Sequence, residues 1–136
     1  MNRLKDKLEE IENYIFELKQ FIPSNFEEYE INLEKKAACE RYFEKIVEAL
    51  IDLAYLITKY ERFKIEEKNK IFDVLFEKEI ISKNLCLKLK DAKGMRNVLS
   101  HKYGEIDDKI VFESISKELI PDSEEFLLTI KKEFKF

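Results

Sequence analysis

This sequence predicts an all-α protein, an antiparallel helical bundle, and three observations carry that expectation. Charged residues make up 40% and apolar residues 45% of its 136 positions, a balance suited to long amphipathic helices. Only two glycines and two prolines punctuate the chain, too few for the turns of a β-sandwich. Apolar side chains also recur at spacings of three and four, the period of a helix with one buried face.

Taken in order, residues 2–21 carry Leu4, Leu8, Ile11, Ile15, Leu18 and Ile22 as one stripe. Pro23-Ser24-Asn25 ends that helix, because proline cannot continue the hydrogen-bond ladder. A short helical turn is expected at 26–30. The longest helix is predicted from Asn32 to Tyr60, with Cys39, Tyr42 or Phe43, Ile46, Leu50, Leu53, Ile57 and Tyr60 as its stripe. Val47, Ile51 and Ala54 widen that stripe, so the helix is either touched by several neighbours or also packs on a second chain. Asp52 interrupts its apolar run, so it either points outward or pairs with a cation such as Arg96. Ile71, Phe72, Leu75, Phe76 and Ile80 predict a third long helix ending near Ser82. The next runs from Asn84 to Tyr103, with Asn84 or Ser82 as its cap. Gly94 inside it costs about 1 kcal/mol against alanine, which suggests close approach of another helix, in this chain or across a dimer axis. Gly104 suits the position just past the helix end. Ile110, Phe112, Ile115, Leu119 and Ile120 continue the pattern, Pro121-Asp122 is expected to break it, and Glu124–Phe136 forms a last helix.

The helix ending at Tyr103 holds the chemistry. It contains the only histidine, His101, and an Arg-x-x-x-x-His-x-Tyr spacing from Arg96 through His101 to Tyr103. At 100° per residue Arg96 and His101 stand about 140° apart. Lys90, Lys93, Asn97 and Ser100 occupy the arc between them, with Cys86 its one apolar member. Leu85, Leu89, Ala92, Leu99 and Tyr103 cluster with Arg96 around a second, apolar direction. An imidazole can take a proton from a ribose hydroxyl, and a guanidinium can hold the attacked phosphate. A solvated helix end with one surface histidine satisfies the same pattern.

Net charge is −4, which argues against indiscriminate nucleic-acid binding. Between Lys83 and Tyr103, however, six basic residues face one acidic, a local +5. Such a patch can steer a polyanion, or it can be charge scatter on exposed faces. Cys39 and Cys86 lie far apart, and a single histidine leaves no ligand set for zinc, so neither metal nor cofactor is expected. The cysteines read as small buried hydrophobes or exposed bystanders. No apolar run spans a bilayer and no secretory segment opens the sequence, so a soluble, cytoplasmic, single-domain protein over 1–136 is expected.

Met95-Arg96-Asn97-Val98-Leu99-Ser100-His101-Lys102-Tyr103 resembles the Arg-x4-His-x-Tyr signature of HEPN-domain proteins of the HepT type, the toxin half of a two-gene toxin–antitoxin pair. Ala38-Cys39-Glu40-Arg41-Tyr42-Phe43, Ala49-Leu50-Ile51-Asp52-Leu53-Ala54, Ile71-Phe72-Asp73-Val74-Leu75 and Tyr103-Gly104-Glu105-Ile106-Asp107 fall in the same order. The likeness runs from about residue 30 to the end. Tyr55-Leu56 departs from the family, which often has a polar residue and histidine there. The resemblance implies a HEPN-type bundle, a homodimer and metal-independent cleavage of RNA. It assigns catalysis to Arg96 and His101 and support to Asn97 and Ser100, and the basic stretch makes Lys90, Lys93 and Lys102 candidate RNA contacts. It also implies a minimal nucleotidyltransferase antitoxin (MntA-like) that adds AMP to Tyr103, a residue whose helical angle otherwise marks it as a stripe position beside Leu85. Two rivals remain: a non-catalytic HEPN partner that binds nucleotide or substrate for a nucleotidyltransferase, and a plain helical oligomerisation module.

Overall fold

A computed structural model of the chain describes residues 2–67, 70–101 and 106–136. Those residues are all-α, with no strand among them. Helix α1 (Asn2–Phe21) buries Leu4, Leu8, Ile11, Ile15 and Leu18, the expected stripe. Pro23-Ser24 follows it, and Asn25 caps the short α2 (Phe26–Ile31) by accepting a 2.9 Å bond from the Glu28 N–H. Asn32 then closes α2 and opens α3 (Leu33–Glu61), its side chain accepting from the Lys35 N–H at 3.0 Å.

Helix α3 is the axis of the fold. Ten of its side chains are buried, on more than one stripe, because α1, α2, α4 and α5 all pack against it. Lys7 meets Asp52 while Tyr14 and Phe21 meet Tyr42, so α1 runs antiparallel to α3. The Asp52 carboxylate is thus exposed and paired with Lys7 at 3.7 Å, rather than with Arg96. Tyr60, expected in the stripe, lies 47% exposed and rests edge-on against Phe134 at 5.6 Å.

The third long helix is shorter than its apolar pattern. Helix α4 (Ile71–Glu77) ends where Glu79 adopts the left-handed conformation at φ 60°, and Ile80 and Ile81 are buried from the turn that follows. Phe76, on the far face, is exposed. Ser82 accepts from the Leu85 N–H at 3.1 Å and so caps α5 (Lys83–His101). Residues 102–105 lie outside the described residues, and with them the expected helix end at Tyr103 and the Gly104 cap.

After α6 (Asp108–Glu113), capped by Asp107, the chain passes through a wide π-helical stretch (Ser114–Leu119) directly into α7 (Ile120–Glu133). The expected break at Pro121 is therefore absent. Pro121 sits in the first turn of α7, directly after the wide i→i+5 turns. Ile110, counted in the stripe, is 54% exposed. Helix α7 returns antiparallel to α1, with Lys19 on Glu124 and Lys131 on Glu12. Phe72 of α4 meets Phe126 of α7 edge-on at 6.1 Å in the core.

Candidate functional site

Helix α5 is held at its apolar stripe by Leu85, Cys86, Leu89 and Leu99, all buried. Ala92, Met95 and Arg96 fill the gap between Leu89 and Leu99 and are only half-buried. Cys86, assigned by its helical angle to the polar arc, is instead buried against α4, where its thiol donates to Asp73 Oδ1 at 3.6 Å. Burial, then the Asp73 carboxylate, pushes that thiol up to about 11. Burial does the same to Cys39, also to about 11. Both are buried free cysteines, the first of the two readings open to them.

The predicted site residues lie on the last turns of α5. Arg96 reaches toward α3, with Nη2 3.9 Å from Glu48 Oε2 and its side chain 28% exposed. Its Nε is buried and has no hydrogen-bond partner among the described residues. One turn on, Ser100 donates to Glu44 Oε2 at 3.4 Å, and Glu44 also lies 4.0 Å from Arg41. Asn97 and His101 are exposed. Arg96 therefore leans inward on α3 while His101 faces solvent, the separation expected of residues five apart on a helix.

The basic arc is less bare than its sequence. Lys90 pairs with Asp73 at 3.1 Å, and Lys88 lies between Asp122 at 3.8 Å and Glu125 at 3.5 Å. Lys93 is held below the usual lysine range, first by partial burial and then by Arg96, which repels a second positive charge one turn away. Carboxylates from α3, α4 and α7 thus meet the cations of α5, and the local excess of positive charge is smaller in space than along the chain. Lys102 and Tyr103 lie outside the described residues. No group of three or more His, Cys, Asp and Glu side chains among the described residues is arranged to hold a metal ion. No helix among them is long and apolar enough to cross a membrane.

Glu44 and Glu48 were not among the residues singled out by sequence. Their signal was present: with Arg41 they form a polar line at i, i+3 and i+7 on a helix that is apolar over much of its circumference. Their partners lie about 50 residues away, and only the antiparallel crossing of α3 and α5 pairs Glu44 with Ser100 and Glu48 with Arg96.

A family model described as ribonuclease HepT-like matches residues 11–130. A relative from Aphanizomenon flos-aquae, named tRNA nuclease HepT, is 27% identical over 137 residues, covering 96% of this chain and 93% of its own. The tri-AMPylated HEPN toxin of Shewanella oneidensis, solved in complex with MNT antitoxin, superposes with a TM-score of 0.86 at 24% identity, over 95% of this chain and 96% of the other. A toxin–antitoxin structure with AMP-PNP gives the same TM-score, 0.86, at 22% identity over 97% and 99%. These two likenesses establish a shared fold.

Proposed function

This chain belongs to the ribonuclease HepT-like family, and on that premise we propose that it is the toxin of a HEPN/nucleotidyltransferase pair, a metal-independent endoribonuclease acting as a single HEPN-like domain over 1–136. The observation that carries the reading is the family match together with Arg96, Asn97, Ser100 and His101 on consecutive turns at the end of α5. His101 removes the proton from a ribose 2′-OH, and the 2′-oxygen attacks the adjacent phosphorus. The bond from phosphorus to the 5′-oxygen breaks, leaving a 2′,3′-cyclic phosphate and a 5′-hydroxyl. Arg96 stabilises the charge that grows on the phosphoryl oxygens, with Asn97 and Ser100 orienting the phosphate. The departing 5′-oxygen needs a proton that one histidine cannot give while it holds the first. A homodimer resolves this, because the partner subunit's His101 then faces the same cleft as a general acid. Lys90, Lys93 and Lys102 are the proposed contacts to flanking phosphates, the first by exchanging Asp73 for RNA.

Control falls to Tyr103, two residues past His101. The Shewanella oneidensis toxin of the same fold is tri-AMPylated and bound to MNT antitoxin, which supports an MntA-like nucleotidyltransferase as partner and AMP transfer as the silencing step. The name of the Aphanizomenon relative makes tRNA the first RNA to try. The test is end mapping: products from tRNA in EDTA should carry 2′,3′-cyclic phosphate and 5′-hydroxyl ends, and 3′-hydroxyl with 5′-phosphate ends would overturn the mechanism.

A further inference from the structure

Arg96 is given two tasks that conflict in a flexible side chain: it must meet the phosphate, and it must be in place before the phosphate arrives. A guanidinium has five N–H donors and a long, mobile stem, so holding it still costs entropy unless a neighbour does so. In this chain the neighbour is Glu48. Its Oε2 lies 3.9 Å from Arg96 Nη2, beyond direct hydrogen-bond length, and its side chain is 57% exposed. That is an ion pair of modest strength, the kind that orients a cation without trapping it. A phosphate offers two oxygens to the fork and outcompetes one exposed carboxylate at that distance. Arg96 already lies inward, its Nε buried and without a hydrogen-bond partner among the described residues. Lys93, one turn back on the same helix, is a second cation that repels it. Glu44 makes the parallel contact at Ser100 one turn further along.

We propose that Glu48 is a positioning residue for the cleavage reaction, holding the Arg96 guanidinium against α3 in the free enzyme and releasing it to the substrate phosphate. The inference rests on the ribonuclease reading and adds to it a residue on a different helix from the Arg-x4-His motif. Two opposite effects of one carboxylate follow. It raises the rate of the bound complex by placing Arg96, and it weakens RNA binding by putting negative charge beside the phosphate site.

The experiment is a kcat and KM comparison on one RNA for the full chain, with thermal melting as a fold check. Glu48→Gln should lower kcat on the order of tenfold or more, with KM unchanged or lower and melting unaltered. Glu48→Asp, which keeps the charge on a shorter arm, should recover part of kcat. Glu133→Gln removes the same charge at the end of α7 and should match wild type. Its neighbour Phe134 packs on Tyr60, which is about 18 Å along α3 from Glu48. Active wild type with an unchanged Glu48→Gln overturns the inference alone. So does a loss that appears wholly in KM, or one that tracks a lower melting temperature. Wild type that cleaves no RNA overturns the ribonuclease reading, and this inference with it.

Discussion

Arg96 on α5 faces Glu48 on α3 across 3.9 Å, so the arginine of the motif is anchored on the central helix while the histidine five residues on is exposed. The pairing matters for substitution. Lysine at position 96 retains the charge and the attraction to Glu48, yet loses the planar fork that fits two phosphoryl oxygens. Arg96→Lys should therefore melt like wild type and lose cleavage by about a hundredfold, the scale of removing one well-placed transition-state donor. Steady-state kinetics beside a melting curve checks it, and near-normal turnover would show that charge alone suffices.

The two cysteines should be chemically silent. Burial holds both thiols up to about 11, so at pH 8 about one in a thousand is thiolate. An aromatic disulfide reagent at pH 8 should label neither Cys39 nor Cys86 within minutes in the folded protein, and both at once in denaturant. The same shifts carry a pH sign: the folded state keeps protons that the unfolded state releases. Their contribution to stability is complete below the ordinary thiol range near 9 and is lost as the pH rises through about 11.

Gly94 tests where a second chain sits. A methyl group built at this position meets, beyond the backbone of its own helix turns, no atom of the described residues within 4 Å. No other helix among the described residues exploits the glycine, so the close approach that its presence suggests is not made within them. Gly94→Ala should stabilise α5 by about 1 kcal/mol from helix propensity alone, read as a higher urea midpoint. A destabilised protein, or one shifted toward monomer in sedimentation, would place a dimer partner against that face.

The proposed silencing step has its own test. A cognate nucleotidyltransferase with ATP and magnesium should add AMP mass to the wild-type chain and suppress cleavage, since phosphate charge and a nucleoside would then stand beside the proposed RNA site. Tyr103→Phe should remain active, gain no mass at that residue and escape suppression. Intact-mass spectrometry reads both outcomes, and an equal gain on Tyr103→Phe assigns the modification elsewhere.

How far the sequence reaches depends on the range of the interaction involved. Helix α1 was legible to its ends because Leu4 through Leu18 repeat at three and four and Pro23 follows at once. The several neighbours of α3 were legible from the width of its apolar surface. Local pattern misplaced what distance decides. Asp52 finds Lys7 on the antiparallel α1, and Arg96 finds Glu48, because those choices follow from helix crossings that no periodicity encodes. Pro121 misled for a different reason: a proline stops an α-helical ladder, but the π-helical turns of Ser114–Leu119 carry the backbone past it. Tyr60, Phe76 and Ile110 share the spacing of core residues and lie at the edge of the packing, where the stripe runs beyond its neighbours. The motif itself was readable from residue types alone; the carboxylates that face it were not.

His101 is the residue proposed to move the proton in a cleavage that needs no metal. That role is tested most directly by incubating wild type and His101→Ala side by side with tRNA in excess EDTA. His101 is exposed at the end of α5, so the substitution should leave helical content and assembly intact. Wild type should cleave the RNA and His101→Ala should not. Equal cleavage by both proteins would contradict that role.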